Sequence, residues 1–260
     1  MAVLSVIIPS RLACAGSGGL FLEQAVRSIR AQQLDPSFRV QILAGIDQGA
    51  VPPEDLADRL GICFVEAAGK SQAAALNGAA GAIKGDYLAF LEDDDQWNAG
   101  FLSAALSLLG QFDFCSASQL EIDPEGRVLR VNDFPTPSGW VMRRQTWERV
   151  GLFDTAFRFH LDNDWLGRLG ESGARRAHLV EAIEALDAAF VEKERPLLGT
   201  LLKWARPGVH LVRHTSPEPL VVKLCHPGSG IAHSEADAKA RQLSQNEYAR
   251  LIGRFGHVPW

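Results

Sequence analysis

The chain has 260 residues, of which 47% are hydrophobic and 22% are charged, and its net charge is −5 at pH 7. This composition is typical of a globular protein with a substantial hydrophobic core, and the length fits a single α/β domain. The acidic charge argues against a broad nucleic-acid-binding surface, and the lack of any apolar run of 18 residues argues against a membrane-spanning segment.

Short apolar runs alternate with helical patterns through the first half of the chain. Continuous β-branched runs predict strands that are buried on both faces, and apolar residues at helical spacing predict helices. This alternation favours parallel βαβ units, in which ligands bind beyond the carboxyl ends of the strands. The predicted strands are 4–8, 39–46, 62–65, 87–91 and 112–117, the predicted helices are 21–33, 53–60, 71–83 and 101–109, and a glycine-rich loop lies at 15–19.

The second half of the chain is less regular. The sequence Asp123-Pro124-Glu125-Gly126 predicts a turn, so the strands on either side of it should form a hairpin. A polar segment near the carboxyl terminus predicts a closing helix with Ser234 as its N-cap. The predicted strands are 119–122, 128–131 and 220–224, and the predicted helices are 147–151, 165–171, 197–204 and 234–254.

Four consecutive carboxylates, Glu92, Asp93, Asp94 and Asp95, come directly after the predicted strand 87–91. Packed together without a cation, they would repel one another. Hard oxygen ligands suit Mg²⁺ or Mn²⁺, which bind proteins through one or two carboxylates together with phosphate oxygens. A solvated acidic loop is the alternative, but the position after a buried strand favours a site for a divalent metal.

The chain resembles the family 2 inverting glycosyltransferases of the GT-A fold. The resembling segments follow the family's order between about residues 4 and 173, and the ordered set is more specific than any one piece. They are SVIIPS at 5–10, GKSQAAALN at 69–77, AIKGDYLAFLEDDDQW at 82–97, GLFD at 151–154 and DNDWLGRL at 162–169. The resemblance implies an α/β fold: a single GT-A (Rossmann-like) domain with a mainly parallel central sheet flanked by helices.

The same resemblance implies a metal-dependent inverting transferase that moves a sugar from a nucleoside-diphosphate sugar to an acceptor hydroxyl. It divides the domain into a nucleotide-sugar-binding half (1–118), an acceptor-side half (119–233) and a C-terminal helical segment (234–260). The partners it implies are a nucleotide-sugar donor and a saccharide or lipid-linked acceptor. Peripheral contact with a membrane and the oligomeric state stay open.

Residue by residue, the acidic motif implies that Asp94 ligates the metal and that Asp93 faces the ribose. Glu92 stands where the family usually has Asp, which is tolerable if the side chain acts through a hydrogen bond. Pro9 and Ser10 align with the loop that cradles the nucleotide base.

Asp47 aligns with the second acid of the family's D-D-G-S motif and would accept a hydrogen bond from the uracil N3–H. The segment 45–49 has lost the first acid and the serine of that motif, which weakens the inference about the base. A plain turn residue before Gly49 is the alternative for Asp47.

Several further residues are assigned to the donor pocket. Ser71, Gln72 and Asn77 belong to the predicted helix 71–83, whose N-terminal N–H groups would favour an anion. Lys70 is a candidate charge partner for the diphosphate, and Arg11, the basic residue of the loop after the first strand, is counted with the donor-binding residues. Helix capping and ordinary helix polarity are the alternatives for the three helical residues.

Inverting transfer needs a general base for the acceptor hydroxyl. Asp162 is the first candidate because its spacing to Arg168 equals the family's spacing from base to arginine, and Asp164 is the second. Both could instead be acids in the first turn of a helix, where they favour the N-terminus. His226 resembles the H-x-G-S element of some family members and is a candidate second metal ligand, although a lone histidine is often structural.

Two other functions remain open. A sugar nucleotidyltransferase would also bind a nucleotide and a metal, but it should carry several basic residues after the first strand and gives Asp162 no role. A degenerate nucleotide-sugar-binding protein is suggested by the altered D-D-G-S motif. The four cysteines are scattered without a C-x-x-C pair, so we expect reduced thiols in a cytoplasmic protein.

Overall fold

The predicted alternation of strands and helices folds into a large central β-sheet with helices on both faces. The computed structural model describes residues 1–15, 19–187, 208–229, 232 and 237–259. The strands are β1 (Ala2–Ser10), β2 (Phe38–Ile46), β3 (Cys63–Glu66), β4 (Tyr87–Phe90), β5 (Gln96–Trp97), β6 (Phe114–Ala117), β7 (Gln119–Ile122), β8 (Val128–Asn132), β9 (Val141–Arg143), β10 (Arg176–Ile183), β11 (Val209–Ser216) and β12 (Val221–Leu224). The helices are α1 (Phe21–Arg30), α2 (Leu56–Leu60), α3 (Gln72–Ala80), α4 (Phe101–Leu108), α5 (Arg144–Val150), α6 (Leu161–Glu171) and α7 (Ala238–Phe255).

Eight of these strands form the central sheet in the order β11-β10-β6-β9-β4-β1-β2-β3. Only β9 runs antiparallel to its neighbours, β4 and β6, so the described sheet is mainly parallel, as predicted. The other four strands form a second, smaller sheet in the order β5-β12-β7-β8, which the sequence did not predict. Within it, β7 and β8 form the predicted antiparallel hairpin.

Strand β1 shows how the sequence sets the two layers of the core. Successive side chains of a strand point to opposite faces of the sheet. Val6 and Ile8 therefore join a hydrophobic cluster that includes residues of α1 and α4, whereas Ile7 joins a second cluster that includes residues of α3, α5, α6 and α7. Because both faces of the sheet are covered, β1 carries apolar residues on both of its faces, apart from Ser5 and Ser10.

The predicted element bounds agree with the structure to within a few residues in the first half, and less well in the second. Helix α6 begins four residues before the predicted start. The closing helix begins at Ala238, where the Asp237 carboxylate accepts the Ala240 N–H (2.7 Å), so the prediction of Ser234 as its N-cap was wrong. Ser234, the predicted helix 197–204 and residues 16–18 of the glycine-rich loop lie outside the described residues.

The thiols of Cys14, Cys63, Cys115 and Cys225 form no disulfide. None of the helices that the structure describes combines the length and the apolar character that crossing a bilayer requires.

The close approach of α3 to β2 depends on Gly45. A Cβ atom at this position would lie 2.0 Å from the backbone oxygen of Ala75, so any larger residue must push helix and strand apart. This contact sets α3, whose N-terminal end carries Ser71 and Gln72, against the strand that ends just before Asp47.

We therefore expect Gly45→Ala to lower the free energy of unfolding by about 1–3 kcal/mol, the usual cost of overpacking a core. Gly253→Ala is the matched control, because a Cβ on this exposed position of α7 meets nothing within 4 Å. That change should stabilise the protein by about 0.5–1 kcal/mol through helix propensity. Urea unfolding followed by tryptophan fluorescence measures both, and a Gly45→Ala variant as stable as the wild type would contradict the close approach.

Candidate active site

The carboxyl ends of β1, β2 and β4 lie at one edge of the sheet, since β1 pairs in parallel with both of the other strands. The Ser10 hydroxyl at the end of β1 donates a hydrogen bond to Asp93 Oδ2 at 2.6 Å. It also accepts the N–H of Leu12 at 3.0 Å, so its orientation is fixed. The loop after β1 and the acidic loop after β4 are therefore joined directly.

Asp93 is held in an environment that disfavours its charge. Burial and the neighbouring charge of Asp94 raise the pKa of Asp93 to about 7, although the Ser10 hydrogen bond and the Arg11 guanidinium act in the opposite direction. Arg11 also donates to the backbone oxygen of Gly228 at 3.2 Å. The Arg11 side chain thus links the loop after β1 to the segment that carries His226.

Asp94 and His226, which are 132 residues apart in sequence, meet in the structure. The Nε2 atom of His226 lies 3.0 Å from Asp94 Oδ2. The Gly228 N–H donates to the other ring nitrogen, Nδ1, at 3.2 Å, which in a neutral ring leaves the proton on Nε2, facing the carboxylate. The Phe21 ring packs against the imidazole with 4.9 Å between centroids. The structure thus brings together the two residues that the sequence suggested as metal ligands.

Lys223 of β12 lies among the acids. Its Nζ atom is 3.1 Å from Glu92 Oε2 and 3.8 Å from Asp95 Oδ2. Burial alone would lower the pKa of Lys223, but the charges of Asp95, Glu92 and Asp94 outweigh burial and hold this pKa well above its usual value. The neighbouring carboxylates thus favour the protonated ammonium form of Lys223 inside the acidic cluster.

The remaining oxygens of Glu92 and Asp95 also have donors. Gln72 donates to Glu92 Oε1 at 2.8 Å. The Ser138 hydroxyl donates to Asp95 Oδ2 at 2.5 Å, and the Leu224 N–H donates to Asp95 Oδ1 at 3.1 Å. Burial nevertheless raises the pKa of Asp95 well above its usual value. Both side chains are fixed within the protein, whereas Asp94 Oδ1 has no hydrogen-bond partner among the described residues.

Three of the acids are close enough to share a cation. One oxygen each of Glu92, Asp94 and Asp95 lies within 4.8 Å of the others. Beside Asp94 and His226 opens a cavity of about 830 Å³ with a mostly apolar lining. The loop after β1 forms one wall of this cavity, and the hairpin β7–β8 with β12 forms another. The size is that of a small-molecule site.

The other residues assigned to the donor pocket lie in different settings. Ser71 caps α3 by accepting the Ala74 N–H at 3.1 Å. Asn77 accepts the Phe153 N–H and donates to the Phe153 oxygen, both at 2.9 Å, so its amide is used to hold the 151–154 segment. Pro9 is buried, Asp47 is half-buried and Lys70 is exposed. Among these residues and Gln72, only Gln72 hydrogen-bonds to the acidic cluster within the part of the chain that the structure describes.

Asp162 lies in the first turn of α6 with its carboxylate half-buried. It accepts the N–H of Asn163 at 2.8 Å. Burial raises the pKa of Asp162 to about 6, and the charge of Glu92 acts in the same direction, which places Asp162 within electrostatic reach of the acidic cluster. A carboxylate with this pKa can take up a proton near neutral pH.

Asp164, the second candidate base, is buried between two arginines. Its oxygens lie 2.9 Å from Arg168 Nε and 3.3 Å from Arg254 Nη1. Arg168 also donates to the backbone oxygens of Val150 and Leu152, at 2.8 and 2.9 Å. The contacts of Asp164 are therefore those of a residue that joins α6, α7 and the segment after α5.

Sequence reasoning missed two residues that shape this site, Lys223 and Glu247. The buried Glu247 carboxylate on α7 accepts the backbone N–H groups of Arg158, Phe159 and His160, at 2.7, 2.9 and 3.1 Å. These N–H groups precede α6, so a side chain from the last helix fixes the backbone segment that leads into α6 and Asp162. The available signal was an acidic residue within the polar segment 234–254, and such a residue does not by itself specify a partner. Trp97 and Trp140, which could have stacked on a sugar, are core residues that are 2% and 0% exposed.

Comparison with known proteins places the chain in a family. The model of the family described as glycosyl transferase family 2 matches residues 5–164, more than half of the chain. No protein of curated function matches the sequence.

Among solved structures, that of S. aureus TarS superposes with a TM-score of 0.55 at 11% identity, and covers 97% of this chain and 42% of that chain. The structure of S. aureus TarS 1-349 in complex with UDP gives a TM-score of 0.54 at 11% identity, over 97% and 70% of the two chains. The structure of S. aureus TarS 1-349 in complex with UDP-GlcNAc gives a TM-score of 0.56 at 11% identity, and covers 96% of this chain and 66% of that chain. The chain thus spans less than half of the longest of these structures, and at this identity the likeness concerns the fold.

Proposed function

We propose that this chain, which belongs to glycosyl transferase family 2, transfers a sugar from a uridine-diphosphate sugar to a hydroxyl of a saccharide or lipid-linked acceptor, with inversion at the anomeric carbon. The family and the GT-A fold support a nucleotide-sugar glycosyltransferase. The observation that carries the finer proposal is the convergence of Ser10, Asp93 and Asp94 at one sheet edge, with His226 in contact and Asp162 within electrostatic reach.

The uridine preference is supported by one residue and by the structural neighbours. Asp47 follows β2, directly beside the end of β1, and its half-buried carboxylate accepts no hydrogen bond from the described residues. It is available to accept from a base N–H such as uracil N3–H. S. aureus TarS 1-349 has been solved with UDP and with UDP-GlcNAc bound. We propose that Pro9, Ser10 and Asp93 complete the nucleoside site.

A divalent cation fits the side chains next to this site. Asp94 has one carboxylate oxygen without a partner among the described residues, and oxygen ligands suit Mg²⁺ and Mn²⁺. We propose that Asp94 holds the cation and that His226 joins it once the Nε2 proton is displaced. Such a cation, when bound, neutralises the charge that develops on the leaving diphosphate. Arg11 and Lys70 are proposed to contribute positive charge around the same group.

Asp162 is the proposed general base. Inversion requires the acceptor hydroxyl to attack the anomeric carbon from the face opposite the leaving group, while its proton passes to a carboxylate. With a pKa of about 6, Asp162 is ionised near neutral pH and still basic enough to take that proton. Glu247 and His160 hold the turn in which Asp162 stands. Asp164 is the less favoured alternative, because Arg168 and Arg254 already pair with its carboxylate.

The two halves predicted from sequence have distinct parts in this proposal. Residues 1–118 supply the nucleoside site and the acidic cluster, and residues 119–233 supply His226, Asp162 and the hairpin wall of the cavity. The segment 234–260 contributes α7, whose Glu247 fixes the backbone segment before the proposed base. We propose that the acceptor is bound mainly by the second half.

The two other functions make different demands on the same residues. A sugar nucleotidyltransferase needs no general base at Asp162 and needs more basic residues after β1 than Arg11. A degenerate binding protein needs the nucleoside site but not a carboxylate of raised pKa in the first turn of α6. The position and pKa of Asp162 favour the transferase over both.

A panel of nucleotide-sugars distinguishes the three functions. With Mn²⁺ present, we expect slow release of uridine diphosphate from a UDP-sugar and faster release when a suitable acceptor is added. Uridine diphosphate should compete better than cytidine or adenosine diphosphate because of Asp47. Formation of a nucleotide-sugar from nucleoside triphosphate and sugar phosphate would support a nucleotidyltransferase, and binding without any release would support the degenerate protein.

The base assignment predicts a specific pattern in two matched variants. Asp162→Asn should lower kcat by roughly 10²–10⁴ with little change in stability or in donor affinity, because the side chain keeps its shape but cannot accept a proton. Asp164→Asn should instead lower the free energy of unfolding by about 1–3 kcal/mol, because the buried side chain loses its charge-assisted hydrogen bonds with Arg168 and Arg254. Steady-state kinetics and urea unfolding measure the two effects, and the opposite pattern would move the base to Asp164.

The pKa of Asp162 also fixes the sign of the pH dependence. A general base works in its ionised form, so kcat/KM of the wild type should fall as the pH drops below about 6. In Asp162→Asn the residual activity should lose that acidic limb. If kcat/KM of the variant still falls with the same midpoint pH as in the wild type, another group titrates there.

A further inference from the structure

Lys223 divides the acidic cluster into two parts. Both oxygens of Glu92 and both oxygens of Asp95 receive donors from this chain, and the Lys223 ammonium contacts both carboxylates, at 3.1 and 3.8 Å. Asp94 contacts His226 through one oxygen only. Three acids are close enough to surround a cation, but two of them are already engaged by a fixed positive charge.

We propose that Lys223 is a positioning residue that withholds Glu92 and Asp95 from the divalent cation and leaves Asp94 with His226 as the protein's binding groups. The proposal rests on the metal-dependent reaction proposed above. Because the lysine neutralises part of the cluster, the acids can stay packed together before a cation arrives. Because the lysine also repels a cation, the metal binds weakly until the donor diphosphate adds its own oxygens.

The small second sheet fixes Lys223 in this position. Val222 pairs with Gln96, which lies one residue beyond the acidic motif, so β12 runs alongside the acidic loop. The Leu224 N–H, next to Lys223 in sequence, donates to Asp95. The lysine side chain is only 12% exposed, which limits its movement away from the acids. Strand pairing and the ammonium thus hold the same two carboxylates in place.

A purely structural lysine and a lysine that withholds ligands predict opposite changes in metal affinity. Removal of a structural residue would loosen the site and weaken metal binding. Removal of Lys223 in the proposed role frees two carboxylates and abolishes the repulsion, so metal binding should become tighter. The test is therefore the sign of the change in Mn²⁺ affinity.

The experiment measures free Mn²⁺ by electron paramagnetic resonance during titration of the full chain, with and without uridine diphosphate. We expect Lys223→Met to bind Mn²⁺ alone at least roughly tenfold more tightly than the wild type. Lys223→Arg should stay close to the wild type because it keeps the charge. Lys84→Met, the loss of an exposed lysine, is the control and should change nothing.

Two further measurements keep the test decisive if Lys223→Met folds poorly. Its melting temperature should rise on addition of Mn²⁺ by more than that of the wild type, because the metal replaces the missing charge. In the wild-type background, Glu92→Gln should weaken Mn²⁺ binding in the presence of uridine diphosphate much less than Asp94→Ala does, since Glu92 contributes charge but no ligand oxygen.

Equal or weaker Mn²⁺ binding by Lys223→Met, or a loss in Glu92→Gln as large as that in Asp94→Ala, would overturn the role of Lys223 while leaving the proposed function intact. A wild-type protein that binds no Mn²⁺ even with uridine diphosphate would overturn the metal-dependent reaction, and this inference with it.

Discussion

Repulsion among four consecutive carboxylates is the constraint on which the rest of this site depends. Strand β4 carries the acids to the edge of the sheet, where other parts of the chain contact them. Ser10 donates to Asp93, His226 contacts Asp94, and Lys223 lies between Glu92 and Asp95. The acidic motif is therefore a set of different environments and not one uniform patch of negative charge.

The second half of the chain makes this division possible. Strand β12 adds to the small sheet beside the acidic loop, and it brings both Lys223 and the turn with His226 to the site. Helix α7 is farther away in sequence but acts in a similar way, since Glu247 accepts three N–H groups before α6. Residues 1–118 thus carry the acidic motif, and later parts of the chain set its charge and geometry.

Local patterns were enough to predict the alternating elements, the β7–β8 hairpin and the edge at which the acids collect, because each follows from hydrophobic periodicity or turn chemistry. Lys223 could not be predicted, because its role depends on the pairing of β12 with β5 across more than a hundred residues. Asn77 illustrates the opposite difficulty: a residue within a recognised motif holds the Phe153 backbone. Ser234 and Asp237 are both good N-caps, so sequence alone could not choose between them.

We propose that Asp94 is the carboxylate through which a cation joins the nucleotide to the protein. Calorimetric titration of uridine diphosphate with and without Mn²⁺ tests it most directly, on the wild type, on Asp94→Ala and on Glu54→Ala as an exposed acidic control. We expect Mn²⁺ to strengthen the binding of uridine diphosphate by roughly tenfold or more in the wild type and in the control, because the cation is shared with the diphosphate. In Asp94→Ala we expect no such strengthening. Equal affinity with and without Mn²⁺ in the wild type, or an undiminished Mn²⁺ effect in Asp94→Ala, would contradict it.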